Sequence, residues 1–128
     1  MKEYKKFYEM DIWRDAFRLQ KQVYDLTRTY PKEEKYGLVS QTNDSANSVA
    51  ANTAESHGRF YYADKIRVLY TVRGELEETQ SHLMVAYSRG YIIQGTCNQL
   101  INDYEKLKKR VNNYISNLWN QKNEKDGE

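Results

Sequence analysis

Six apolar residues, Ile12, Ala16, Leu19, Val23, Leu26 and Tyr30, follow one another at intervals of 4, 3, 4, 3 and 4. That spacing returns to one side of an α-helix, so the segment must bury a stripe against other helices. Asp11 stands ahead of it as an N-cap, and Pro31 ends it. Trp13, Phe17 and Tyr24 form a second apolar stripe, wider than a two-stranded contact needs, and fit a subunit interface.

Three further segments supply partners. From Leu38 to His57 the chain is rich in Ala and Ser around Leu38, Val39 and Val49, a pattern that lets helices approach closely, with Gly58 as the stop. From about Tyr62 to Arg89, Ile66, Leu69, Leu76, Leu83 and Tyr87 share a heptad phase, into which Arg73 and Gln80 intrude. Gly90 closes that helix, and Thr96 with Gln99 reads as a capping box opening the last one, whose apolar face includes Leu100, Tyr104, Leu107, Val111, Ile115 and Leu118. The expectation is an all-α, antiparallel up-and-down four-helix bundle. Its divisions are an N-terminal arm at 1–10, a bundle domain at 11–119 and a frayed polar tail at 120–128.

Composition narrows the alternatives. One proline and six glycines in 128 residues leave too little turn chemistry for a many-stranded sandwich or barrel. A mean hydropathy of −0.97 and no apolar run near about 18 residues argue against a transmembrane helix and a membrane partner. A single cysteine and lysines at 2, 5 and 6, which break any signal-like apolar run, point to the cytoplasm. The net charge of +2 makes no case by itself for a strong nucleic-acid binder, so a polyanion partner needs a local patch.

Asn52-Thr53-Ala54-Glu55-Ser56-His57-Gly58-Arg59 resembles the Asn-Ile-Ala-Glu-Gly-x-Gly-Arg signature of the bacterial four-helix bundle proteins known as 23S ribosomal RNA intervening-sequence proteins. Pro31, Glu34, Tyr36-Gly37-Leu38 and Gln41 are similar to that family's entry into its second helix. Leu69-Tyr70, Arg73-Gly74, Leu76 and Glu78 are similar to its third-helix motif, and Tyr87 to Ile92 to that helix's exit, so the resemblance spans about residues 8 to 93. The departures are Thr42-Asn43-Asp44 in place of a basic pair, and Thr53, Ser56, Tyr61, Glu75 and Thr79 in place of Ile, Gly, Ser, Ser and Leu. The resemblance implies a small non-enzymatic bundle that forms a homopentamer. A related branch, the accessory variability determinants of diversity-generating retroelements, is a basic pentamer working with a reverse transcriptase and RNA; the near-neutral charge here argues against it.

No catalytic constellation emerges, and neither a cofactor nor a metal is expected. Neither His57 nor His82 follows a Glu by three residues, which removes the di-iron pattern of helical bundles, and Glu78 with His82 reads as a surface pair. Cys97 lies in the apolar phase of the last helix and reads as a buried thiol. Among the polar residues that the resemblance singles out, Asn52, Glu55, Arg59, Arg73 and Glu78 are expected to form a structural network, with Glu55 paired to Arg73 or Arg59.

Arg14, Arg18, Lys21 and Arg28 line one stripe of the first helix and, with Arg59 and Tyr61, are the candidate contacts to structured RNA or a ribonucleoprotein. Assembly would multiply that stripe, since five copies of a chain of charge +2 carry about +10. The competing expectation is a protein-interaction adaptor that never touches nucleic acid.

Overall fold

Four α-helices account for most of the chain: α1 (Asp11–Thr27), α2 (Leu38–Gly58), α3 (Tyr62–Ser88) and α4 (Gln94–Gly127). Single 3-10 turns at Phe7–Glu9 and Lys32–Glu34 precede α1 and α2, and no strand occurs among the described residues. This computed structural model describes residues 4–127, with side chains from 4 to 125. Residues 1–3 of the expected arm, Lys2 included, and Glu128 of the expected tail lie outside the described residues.

The helix ends differ from the sequence expectations at several places. Asp11 is the first helical residue and not the cap; Met10 holds the cap position in extended backbone, with no side-chain cap bond. Residue 11 is still the right place for a carboxylate, at the positive end of the helix dipole. α1 stops at Thr27, four residues ahead of Pro31, and the Thr27 and Thr29 hydroxyls bond back to the carbonyls of Tyr24 and Leu26, at 3.0 and 2.7 Å. Gly58 is the last residue inside α2, and the left-handed glycine is Gly90, φ 78°. There Tyr91 N–H reaches Ala86 O and Gly90 N–H reaches Tyr87 O, the doubly bonded stop that a positive-φ residue permits. The Thr96 capping box does not form the start of α4, which begins two residues earlier with Cys97 N–H on Ile93 O. At its other end α4 runs on through 120–127, so the segment read as a frayed tail is helical.

α2 buries side chains that are poor helix formers by returning their hydroxyls to the helix itself. Thr42 Oγ1 donates to Leu38 O at 2.6 Å, Thr53 Oγ1 to Val49 O at 2.7 Å and Ser56 Oγ to Thr53 O at 2.7 Å. With these groups satisfied, Ala46, Val49 and Ala50 pack into the core, and a close α2–α3 contact is the most extensive in the molecule. Each helix touches two others, α1 with α2 and α4, α3 with α2 and α4, while the α1–α3 and α2–α4 diagonals make no close backbone approach. The main core joins Leu19, Leu69, Leu76, Leu83, Leu107 and Leu118 with residues from all four helices. Met10 and the partly buried Tyr4 pack against it, so the N-terminal segment is docked from residue 4 onward. A second cluster of Tyr30, Leu38, Ala86, Ile92 and Cys97 sits under the α1–α2 and α3–α4 connections.

Candidate functional site

The strongest convergence of polar groups ties those two connections together. Glu34 Oε2 accepts from Tyr91 Oη and from Arg89 Nη1, both at 2.7 Å, and its other oxygen lies 3.4 Å from the Leu38 N–H that opens α2. The Tyr91 hydrogen bond, seconded by the Leu38 amide and Arg89, holds the Glu34 carboxyl below the usual carboxylate range and pushes the Tyr91 phenol up. Gly37 leaves room for this carboxylate, since a Cβ there would meet Glu34 Oε1 at 3.2 Å. Thus Glu34 and Gly37, which the resemblance marked without a role, form a latch with Arg89 and Tyr91, which lie in the 87–92 stretch that it also marked without a role.

The expected network of Asn52, Glu55, Arg59, Arg73 and Glu78 does not form as one unit. Asn52 Nδ2 donates to Ser48 O at 3.0 Å, and Glu55 pairs with Arg59 at 2.6 Å on the exposed side of α2. Arg73 turns instead to α4, where it donates to Asn112 Oδ1 at 3.0 Å and lies 4.9 Å from the Tyr70 ring centre. Glu78 stands 3.4 Å from His82 on α3. The reason is geometric: the buried face of α2 runs through Thr42, Ala46, Val49, Thr53 and Ser56, and Glu55 lies off it, exposed. Gln80, the other polar intrusion in α3, donates to Ile101 O and Glu105 Oε1 at 3.2 and 3.0 Å, so both intruders bind α4. Asn43, in the place of the missing basic pair, donates to Thr27 Oγ1 at 2.9 Å and ties α2 to the end of α1.

All four cations of the α1 stripe are exposed, yet each has company. Arg14 Nε donates to Tyr8 O at 2.9 Å, Arg18 lies 3.7 Å from Asp15, and Lys21 pairs with Asp25 at 2.6 Å. Lys21 and Arg28 also flank the Tyr24 ring, at 5.7 and 6.0 Å. Beside this stripe runs an aromatic one. Phe17 is 53% exposed and stacks on the half-buried Trp13 at 5.0 Å, and Phe7 meets Trp13 edge-on at 5.1 Å, while Tyr24 continues the row toward the end of α1.

At the α2–α3 junction Tyr61 and Phe60 stand out from the surface, 67% and 86% exposed, edge to face at 5.0 Å. They border a hollow whose other lining includes Lys65, Lys122 and Lys125. Sequence reasoning marked Tyr61 and missed the two lysines of α4, because 120–128 read as tail; their three-residue spacing was the available signal. Cys97 is buried, its Sγ 3.8 Å from Leu83 O, and burial pushes its thiol up. Among the described residues no group of three or more His, Cys, Asp or Glu is placed to hold a metal ion, and no helix is long and apolar enough to cross a membrane.

Fold and surface together define a small four-helix protein whose marked polar residues mostly fasten connections and helix ends, with aromatic and basic strips left outside. The sequence profile described as 23S rRNA-intervening sequence protein matches residues 8–113, and the chain belongs to that family. A crystal structure of a protein of unknown function from the S23 ribosomal protein family of Bacteroides thetaiotaomicron has the same fold, with a TM-score of 0.76 and 22% identity, covering 82% of this chain and 95% of that one. No curated protein matches the chain.

Proposed function

We propose that the chain is a non-catalytic, antiparallel up-and-down bundle that assembles as a homopentamer in the cytoplasm and binds structured RNA or a ribonucleoprotein on the outer face of α1. The antiparallel reading is supported by cross-helix pairs whose numbers rise in one helix as they fall in the next: Tyr70–Trp119, Arg73–Asn112 and Gln80–Glu105. The observation that carries the binding reading is the adjacency of two strips on α1, exposed aromatics Phe17 and Tyr24 with Trp13, beside Arg14, Arg18, Lys21 and Arg28. The aromatic strip suits a subunit contact. In a ring the cationic strip repeats, and weak phosphate contacts become multivalent.

A second reading, a protein-interaction adaptor, is favoured by the pairing of Arg18 with Asp15 and Lys21 with Asp25, which lowers the net charge of the strip. Fluorescence anisotropy of a labelled RNA hairpin, at low and physiological salt, separates the two. The RNA reading expects binding that weakens with salt and is lost in Arg14→Glu/Arg18→Glu. Absence of binding at low salt, where charges are least screened, overturns it and leaves the adaptor.

A further inference from the structure

The hollow at the α2–α3 junction has a floor, a wall and a rim of different chemistry. Its floor is fixed by Lys65, whose Nζ donates to His57 O and Ser56 O at 2.8 and 3.3 Å, closing the C-terminal end of α2. Those bonds commit the Lys65 ammonium to the protein. The wall is the Phe60–Tyr61 pair, held at 84° so that the two ring faces point in different directions. The rim is Lys122 and Lys125, one turn apart on the last stretch of α4. Lys122 itself lies 5.7 Å from the Trp119 ring centre, which carries the aromatic surface along α4. The hollow is open to solvent, with a volume of about 480 Å³, and no carboxylate lines it among the described residues.

Exposed rings cost solvation free energy wherever nothing covers them, and lysines at the edge favour an anion. A half-open hollow flanked by ring faces and cations suits a group that is planar and anionic at once, a base with its phosphates. We propose that this hollow binds an unpaired stretch of RNA, with a base against the Tyr61 or Phe60 ring and the adjoining phosphates at Lys122 and Lys125. The inference rests on the RNA reading above but uses a different part of the molecule from the α1 strip, and a different form of RNA.

The test is anisotropy of a labelled, unstructured oligouridylate titrated with the full chain, beside the RNA hairpin. Variants Phe60→Ala/Tyr61→Ala, Lys122→Gln/Lys125→Gln and Arg14→Glu/Arg18→Glu are run in parallel, each checked by circular dichroism. Loss of the rings is expected to weaken oligouridylate binding by about tenfold or more, since each base stack contributes ~1–3 kcal/mol. Loss of the two lysines should reduce the slope of log affinity against log salt by about 1.4, or ~0.7 for each phosphate contact. Arg14→Glu/Arg18→Glu should leave oligouridylate binding in place while it abolishes hairpin binding. If the wild type binds the hairpin but not oligouridylate, or binds oligouridylate equally well in both hollow variants, this inference is overturned and the α1 reading stands. Oligouridylate binding sensitive to the hollow variants, without hairpin binding, would support the hollow and overturn α1. Ring-dependent sedimentation with anionic phosphatidylserine vesicles, with oligouridylate unaffected by the ring variant, would overturn it in favour of a lipid surface.

Discussion

Glu34 shows how one carboxylate can organise two connections. It accepts from Tyr91 and Arg89 beyond α3 and faces the first amide of α2. Its folded pKa is held below the ordinary value of 4.5, so the stabilisation is fully present above that value and is lost as pH falls through the folded value. Tyr91 works in the opposite direction. Its phenol is raised above 10.0 chiefly by the same hydrogen bond, so its share is present below that pH and disappears as pH rises through the folded value. Thermal melts across pH should therefore show both an acid and an alkaline fall in Tm that depend on this pair. Glu34→Gln is expected to lower Tm at neutral pH and flatten both limbs, while Tyr91→Phe removes the alkaline limb and shrinks the acid one to what the Leu38 amide and Arg89 sustain. Identical pH profiles in wild type and Glu34→Gln would dismiss the latch as a source of stability. Glu34 was legible in the sequence only as part of a resemblance. Its partners lie 55 and 57 residues away, a separation that no local pattern encodes.

Helices are where periodicity is legible and their ends are where it is not. The stripes of α1, α3 and α4 point at residues that are buried, Tyr87 at the end of α3 excepted, because a helix must hide one face and the chain satisfies that at 3.6-residue spacing. Ends depend on single hydrogen bonds: α1 begins without a side-chain cap, so Asp11 misled, and α4 begins at Gln94, which puts Thr96 inside the helix. α2 was legible by its small residues, but the pairing of its Ser45 with Thr79 of α3 was not. Thr79 stands where the family motif has Leu, and the Ser45 hydroxyl opposite gives its hydroxyl a partner 2.8 Å away inside the contact. Both residues also reach a carbonyl of their own helix, Thr42 O and Glu75 O, so the cross-helix term is one bond among several. A double-mutant cycle with Ser45→Ala and Thr79→Val, read by urea denaturation, should return a coupling of about 0.5–1.5 kcal/mol. A coupling indistinguishable from zero would mean that the hydroxyls are satisfied by their own helices alone.

Over the whole molecule, the accessible surface is 7850 Å², against about 7,150 Å² for a compact monomer of this mass. The aromatic strip of α1 is one of the apolar patches that this surface leaves exposed. Phe17 and Tyr24 are about half exposed, and Trp13 is packed on the core from one side only. This makes folding and assembly separable by experiment. If the strip is the subunit contact, association stabilises the folded chain by mass action, and Tm should rise with protein concentration. Phe17→Asp should remove that dependence and reduce the sedimentation coefficient to that of a smaller species. At the lowest concentration its Tm should match the wild type within a few degrees, because an exposed side chain contributes little to the core. Concentration-independent melting of the wild type would place any subunit contact elsewhere. A Phe17→Asp Tm lowered equally at every concentration would instead assign the Trp13–Phe17 stack to the fold of the single chain.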